Sequence, residues 1–278
     1  MIDLHSHILP GLCDGSQNLE TSLAMARMAV ADGTTHLACT PHIYPGLYNN
    51  NQPGIASAID SLQIELNQQG IPLTLVMGAD VHMVPEVMRG LKDGMIPTLN
   101  QSRYFLLEPS HHVPVSGFID QIENFLNADY VPVITHPERL RWLGDKYEEF
   151  LLAARMGAWL QITAGAITGH FGRTARQFSE RLLLDGYVHI IASDAHGTDR
   201  RPPILSAGIQ AAIQLLGDET EVMRMVQERP KAILDNASPD TVSLPPALTL
   251  SAGHELAASH FHKNPTVNKK NWFSRLFG

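Results

Sequence analysis

The chain has 278 residues, of which 44% are apolar, and this suits one large α/β domain or two small domains. The formal net charge of -8 argues against a nucleic-acid-binding surface. Only two cysteines, Cys13 and Cys39, are present, which excludes a disulfide framework and a Cys-x-x-Cys zinc motif.

Strand-forming and helix-forming segments alternate along the chain from its first residue. Strands are predicted at residues 1–4, 35–39, 72–77, 104–107, 131–134, 158–162 and 187–192. Helices are predicted at residues 17–32, 55–69, 84–91, 117–126, 147–156, 174–184, 203–216 and 220–227. Residues 44–54 are rich in Asn, Pro and Gly and are predicted as a loop that borders a site. The alternation indicates parallel strands with crossover helices.

The C-terminal part of the chain has a different composition from the alternating segments. Residues 236–247 are rich in turn-forming residues, and the residues after them are polar. We therefore predict a domain over residues 1–240 and a flexible tail over 241–278. The basic and aromatic residues 269–277 are either a frayed terminus or a small docking or membrane-surface segment.

Two further patterns concern membranes and secretion. No apolar run approaches the roughly 20 residues that a membrane span needs. The N-terminus also lacks the basic and apolar regions of a secretory signal peptide. We therefore expect a cytoplasmic protein without stable membrane insertion.

A histidine or an acidic residue follows six of the seven predicted strands. These residues are His5, His7, His42, Asp80, Glu108, His136, Asp194 and His196. In an open sheet, ligand-binding residues gather at one switch point, whereas a closed ring brings all strand ends to one mouth. We therefore predict an α/β fold, a distorted seven-stranded (β/α) barrel, with a multinuclear metal site at its carboxyl-terminal mouth.

The first strand ends in His5-x-His7, and Asp14 follows in a turn rich in Pro and Gly. Residues i and i+2 of a strand face the same way, so two imidazoles can point at one ion. Together with Asp14, the candidate donor residues number nine. Nine donors are too many for a single ion and indicate two or three ions. Imidazole and carboxylate without thiolate point to manganese, iron or zinc, with cobalt also possible. Clustered divalent ions hydrolyse bonds, often those of phosphate esters.

Several of these residues stand in recognisable motifs, and these motifs follow one another in order along residues 1–235. They are His5-x-His7, Asp14-Gly15, Thr40-Pro41-His42, Glu108, His136-Pro137-Glu138-Arg139, Ser193-Asp194-Ala195-His196 and Arg201-Pro202-Pro203. This pattern resembles the PHP (polymerase and histidinol phosphatase) superfamily. Within it, the chain is most similar to the manganese-dependent bacterial protein-tyrosine phosphatases of capsule and exopolysaccharide clusters.

The resemblance implies a PHP-type barrel with three bound ions. One ion would be held by His5, His7, Asp80 and Asp194, a second by Asp80, Glu108 and His136, and the third by Asp14, His42 and His196. Arg139 and Arg201 would bind the phosphate, with Arg200 as the alternative to Arg201. His42 or His196 would be the general acid if either is free of metal.

Two positions depart from the pattern of this family. Position 80 is Asp where Glu is more usual, and the shorter side chain would loosen a bridge between two ions or change the preferred metal. Position 13 is Cys where an acid is usual, which removes one negative charge near the third ion. Neither cysteine begins the Cys-x5-Arg motif of cysteine-dependent tyrosine phosphatases, so we expect no cysteine nucleophile.

The resemblance implies a phosphatase that acts on phosphotyrosine. Its partner would be a phosphotyrosine protein, namely the tail of a bacterial tyrosine kinase that controls polysaccharide export, and not a nucleic acid. Two alternatives stay open at this point. One is a histidinol-phosphate or other small-molecule phosphatase on the same barrel, and the other is a non-catalytic regulatory module that metals only stabilise.

Overall fold

The structure is a computed structural model that describes residues 1–249. In this part of the chain the strands are β1 (Ile2–Ser6), β2 (His36–Cys39), β3 (His42–Tyr44), β4 (Tyr48–Asn49), β5 (Thr74–Met77), β6 (Asp80–His82), β7 (Tyr104–Glu108), β8 (Val131–Thr135), β9 (Trp159–Thr163) and β10 (Ile190–Ala192). The helices are α1 (Leu19–Ala31), α2 (Gln52–Gln68), α3 (Val87–Lys92), α4 (Phe118–Asn127), α5 (Leu143–Met156), α6 (Ala164–Ile167), α7 (Gly172–Leu184), α8 (Ser206–Leu216), α9 (Glu219–Met223) and α10 (Arg229–Leu234), with a π-helical turn at Arg224–Glu228.

Side-chain caps fix where the first two helices begin. Asn18 accepts a hydrogen bond from the backbone N–H of Thr21 (2.9 Å), and Asn51 accepts one from that of Gly54 (3.0 Å). Each cap satisfies one of the backbone donors that a helix leaves without a partner in its first turn. The predicted helices at 17–32 and 55–69 are therefore confirmed within a few residues of their predicted ends.

The strands form two sheets, one in the order β1-β2-β5 and one in the order β10-β9-β8-β7-β6-β3-β4. All pairings are parallel except the β3–β4 hairpin. The chain passes from β2 into β3 and from β5 into β6 after two residues each, so these strands link the two sheets. At the other edge, the N–H of Asp194 donates to the carbonyl of His5 (2.9 Å), and that of His7 donates to the carbonyl of Ala195 (2.8 Å).

Alternation along the strands separates core residues from polar ones. On β7, Tyr104, Leu106 and Glu108 share one face, and the first two are buried in an apolar cluster that also holds Leu4 and Trp159. A larger apolar cluster lies between the strands and the helices. Because the strands are parallel, their carboxyl ends, including Glu108, lie at the same edge of the sheets.

Two details differ from the sequence prediction. The segment predicted as a loop at 44–54 contains the β3–β4 hairpin and the start of α2. The strand predicted at 72–77 is followed by a second short strand, β6, after Gly78 and Ala79. Gly78 lies in the break between β5 and β6, and Thr40 lies in the break between β2 and β3. A Cβ atom at Gly78 would lie 3.0 Å from Cγ2 of Thr40, so a glycine lets these two breaks pack side by side.

The end of the described chain packs onto the domain. The carbonyl of Ser243 accepts a hydrogen bond from Nε of the buried Arg229 (2.7 Å), and Leu248 is buried. The predicted boundary at 240 stays a prediction, and the predicted tail from 250 onward, with its basic aromatic end, lies outside the described residues. Within residues 1–249, no helix is long and apolar enough to cross a membrane.

Candidate metal centre

The end of β1 places two imidazoles side by side. The Nε2 atoms of His5 and His7 lie 3.2 Å apart, and both side chains are fully buried. The pairing of β1 with β2 shifts register between Asp3 and Ser6, and such a bulge re-aims the side chains next to it. Nδ1 of His5 contacts Oε1 of Gln161 (2.8 Å), and Nδ1 of His7 contacts Sγ of Cys13 (3.2 Å). These contacts on Nδ1 leave both Nε2 atoms directed at the centre.

Two buried carboxylates lie next to this pair. Oδ1 of Asp194 is 3.2 Å from Nε2 of His5 and 3.4 Å from Nε2 of His7. Oδ2 of Asp80 is 3.5 Å from Nε2 of His5. Asp194 and His136 both have left-handed backbone conformations, with φ of 52° and 32°. Non-glycine residues in this region are uncommon and cluster at functional sites.

Glu108, at the end of β7, is surrounded by four imidazoles. Its Oε2 lies 3.4 Å from Nδ1 of both His42 and His82. Its Oε1 lies 3.1 Å from Nε2 of His111 and 3.8 Å from Nε2 of His136. His82 and His111 were not among the predicted ligands, although His82 repeats the strand spacing of the N-terminal pair because it follows Asp80 by two residues.

The turn after β1 brings in the ninth predicted donor. Oδ1 of Asp14 lies 3.5 Å from Nε2 of both His42 and His196. The neighbouring Gly15 has a close contact, since a Cβ atom there would lie only 2.1 Å from the carbonyl oxygen of His7. Glycine at this position therefore lets the turn fold back onto the end of β1 and place Asp14 beside His42 and His196.

The charges in the cluster compensate one another. Burial alone would lower the pKa of His5, but the carboxylates of Asp194 and Asp80 raise it to about 9. The pKa of His42 rises to about 9 in the same way, against its own burial, chiefly through Asp80. Burial alone would raise the pKa of Asp80 and of Asp194, but neighbouring cationic groups hold both well below the usual range. Burial lowers the pKa of His7, so its imidazole is neutral.

Two arginines line the same centre from one side. The guanidinium groups of Arg139 and Arg201 both donate to Oδ2 of Asp194. They also lie 4.4 Å and 5.6 Å from the centre of the Phe171 ring. Arg200 is exposed, so of the two neighbouring arginines it is Arg201 that faces the cluster. A cleft of about 360 Å³ opens beside Arg139 and is also lined by His111, Arg141, Phe171 and Thr174.

The donor set fits divalent ions. All nine predicted ligand residues fall into overlapping groups of three or four whose donor atoms lie within 4.8 Å of one another. These groups are His7, Asp14, His42 and His196; His5, His7 and Asp80; His5, His136 and Asp194; Glu108, His111 and His136; and His42, Asp80 and Glu108. Oδ2 of Asp80 and Nε2 of His196 are buried and make no hydrogen bond among the described residues, although Nδ1 of His42 and Oδ1 of Asp14 lie 3.2 Å and 3.5 Å from them. Such close donor atoms without a hydrogen bond are expected where atoms share an ion.

Comparison with known proteins identifies the family. The family model for capsular polysaccharide synthesis proteins, CpsB/CapC, matches residues 1–235. The chain belongs to this family. Among similar proteins, tyrosine-protein phosphatase YwqE of Bacillus subtilis (strain 168) is 35% identical over 240 residues, which are 85% of this chain and 92% of YwqE. Tyrosine-protein phosphatase CpsB of Streptococcus pneumoniae is 29% identical over 244 residues, which are 84% of this chain and 99% of CpsB.

Solved structures agree with this family membership. A structure from a study of YwqE from Bacillus subtilis and CpsB from Streptococcus pneumoniae, described there as unique metal-dependent tyrosine phosphatases, superimposes with a TM-score of 0.81 and 31% identity. The match covers 86% of this chain and 96% of that one. An amidohydrolase from Mycoplasma synoviae, with 11% identity and a TM-score of 0.56 over 92% of this chain and 94% of its own, shares the fold alone.

Proposed function

We propose that this chain is a metal-dependent protein-tyrosine phosphatase that hydrolyses phosphotyrosine in a protein. The observation that carries the proposal is the convergence of Arg139 and Arg201 on Asp194, a carboxylate that also faces the imidazoles of His5 and His7. A guanidinium group matches phosphate oxygens in shape and charge and carries no lone pair for a metal. Two relatives of this chain are named tyrosine-protein phosphatase.

We also propose that the strands form one distorted seven-stranded barrel of the PHP type. In this arrangement β2 with β3, and β5 with β6, each count as one broken strand of the ring. The hydrogen bonds between residues 194–195 and β1 support closure, because they join the edge after β10 to the first strand. The convergence of so many strand ends on one centre is the property expected of a barrel mouth.

The residues that would hold metal are the nine predicted ligands, His5, His7, Asp14, His42, Asp80, Glu108, His136, Asp194 and His196. We propose manganese, two or three ions per chain, because imidazole and carboxylate donors without thiolate suit it. The chemistry that divalent ions supply in such a site is hydroxide from water near neutral pH and neutralisation of phosphoryl oxygens. His42 is assigned as a ligand rather than as an acid, because its ring nitrogens face Asp14, Asp80 and Glu108.

The protein's own groups would position the phosphoryl group and the leaving group. Arg139 and Arg201 would transfer hydrogen bonds from Asp194 to the phosphoryl oxygens, whose charge they stabilise in the transition state. Tyrosinate leaves readily because the pKa of a phenol is only about 10. The tyrosyl chain would extend through the cleft beside Arg139, which is open to solvent and partly apolar through Phe171.

The substrate we propose is the phosphorylated tail of a bacterial tyrosine kinase, which fits membership of a capsular polysaccharide synthesis family. The corresponding location is the cytoplasm, and the two unpaired cysteines, Cys13 and Cys39, are compatible with a reducing compartment. The catalytic unit would be the domain over residues 1–240 that the sequence predicts.

The test compares three substrates on one preparation of the full chain, first stripped with a chelator and then reloaded with manganese. We expect hydrolysis of a phosphotyrosine peptide only after reloading, with far slower hydrolysis of a phosphoserine peptide and of histidinol phosphate. Preference for histidinol phosphate would support the small-molecule alternative instead. Binding of manganese without hydrolysis of any of the three substrates would support the non-catalytic alternative.

A further inference from the structure

Two imidazoles next to Glu108, those of His82 and His111, have no role in the proposed ligand set, and only His111 shares a group of donor atoms with two proposed ligands. Nε2 of His111 lies 3.1 Å from Oε1 of Glu108, which is closer to this carboxylate than Nε2 of His136 at 3.8 Å. The donor atoms of Glu108, His111 and His136 lie within 4.8 Å of one another. The other oxygen of Glu108 faces His42 and His82, so each carboxylate oxygen has its own pair of imidazoles.

The loop that carries His111 is anchored by two hydrogen bonds. The backbone N–H of Arg141 donates to the carbonyl of His111 (3.1 Å). The indole Nε1 of the buried Trp142 donates to the carbonyl of Ser110 (2.7 Å). Both bonds connect the loop after β7 to the segment after β8, which also carries His136. These two hydrogen bonds therefore hold the backbone of His111 in a fixed position relative to Glu108 and His136.

The spacing of these atoms fits one shared ion. Two donors bound to the same ion at about 2.1 Å lie roughly 3.0–3.4 Å apart when they occupy neighbouring positions. The 3.1 Å between His111 and Glu108 falls in that range, and the 3.8 Å between His136 and Glu108 is close to it. His136 and Glu108 are buried, whereas the side chain of His111 is 26% exposed and closes the group on its solvent side.

We propose that His111 is a tenth ligand, which binds the same ion as Glu108 and His136. The inference rests on the proposed function, because that function supplies the metal centre. An added imidazole would replace a water molecule on this ion and hold it more tightly. The ion next to Glu108 would then keep fewer positions for water or substrate than an ion bound by Glu108, His136 and Asp80 alone.

The test measures metal binding without any substrate. His111→Ala is compared with wild type and with His112→Ala, a matched control because the neighbouring histidine is exposed. Each protein is equilibrated with a series of free manganese concentrations, and bound ions are counted by elemental analysis. We expect His111→Ala to bind one ion about tenfold or more weakly, and His112→Ala to match wild type. A second variant, His111→Gln, keeps a polar side chain at this position if the alanine variant folds poorly.

Cobalt substitution gives an independent readout. The visible absorption of bound Co²⁺ depends on the number and type of its ligands, so loss of an imidazole should change the spectrum of His111→Ala and not that of His112→Ala. If both metal affinity and the cobalt spectrum of His111→Ala equal those of wild type, His111 is not a ligand and the inference is overturned. If wild type itself binds no ions, it is the proposed function that fails.

Discussion

Replacement of Arg201 by alanine tests how the centre binds phosphate. The side chain donates to Oδ2 of Asp194, together with Arg139, and is 22% exposed. Its loss should remove one preorganised donor to the phosphoryl oxygens while every proposed metal ligand stays in place. We therefore expect a lower kcat with unchanged metal content.

The expected size of this effect follows from the shared contact. One preorganised transition-state donor contributes about 2.7–4 kcal/mol, or about 10²–10³-fold in kcat. Because Arg139 donates to the same carboxylate oxygen and remains in the variant, we place the loss at the lower end, about 100-fold. Asp194 keeps Arg139 and His5 as neighbours, so its carboxylate should stay ionised and available to metal.

The assay is steady-state hydrolysis of a phosphotyrosine peptide by manganese-loaded protein, with metal content measured on the same sample. Arg200→Ala is the matched control, because this neighbouring arginine is exposed and should leave kcat unchanged. Equal losses for Arg200→Ala and Arg201→Ala would refute the assignment. A loss of bound metal in Arg201→Ala, in proportion to its loss of activity, would show that the arginine supports the metal site instead.

Three further predictions concern the two cysteines, the protons released on metal binding and the C-terminal residues. The double variant Cys13→Ser and Cys39→Ser should remain active, because burial raises the pKa of both thiols, that of Cys13 to about 11, and both stay protonated. A double variant that is folded and fully metallated but inactive would contradict this. Manganese binding to chelator-treated protein at pH 7 should release up to about two protons, because His5 and His42 have pKa values raised to about 9 and must become neutral to bind metal. Calorimetry in buffers of different ionisation enthalpy measures this release, which should fall away above pH 9; no release at pH 7 would contradict it. A chain ending at Thr249 should hydrolyse a small aryl phosphate as fast as the full chain, and a large loss in a folded truncated protein would show that the removed residues reach the site.

The regular part of the fold could be predicted because its patterns are long. The helices predicted at 117–126 and 174–184 are observed as α4 and α7, since each has a clear apolar face and a turn-forming flank. The hairpin of β3 and β4 could not be predicted, because strands of three and two residues are too short to show alternation. The break between β5 and β6 depends on Gly78 packing against Thr40, a contact between residues far apart in sequence.

The proposed ligands were accessible to sequence reasoning for a different reason. A polar residue just after an apolar strand is held at the carboxyl end of that strand. Because parallel strands have their carboxyl ends at the same edge, the topology predicts that such residues lie close together. His111 lies three residues beyond β7 in a loop whose course depends on Trp142 and the backbone of Arg141. The sequence also could not show which of Arg200 and Arg201 points into the centre. The direction of these loop side chains depends on contacts such as that between Arg201 and Asp194.

The charge balance of the centre gives a reason why arginines and the proposed metal ligands occur together. Asp80 and Asp194 are fully buried carboxylates, and an isolated buried charge of this kind would oppose folding. Protonated His5 and the guanidinium of Arg201 supply compensating positive charge next to them. With a divalent ion bound, the same charge would come from the ion, so the proton on His5 would no longer be needed and Arg201 would be free to bind another anion. The electrostatic requirement for burying these carboxylates would therefore also leave the arginine available to a phosphoryl group once metal is bound.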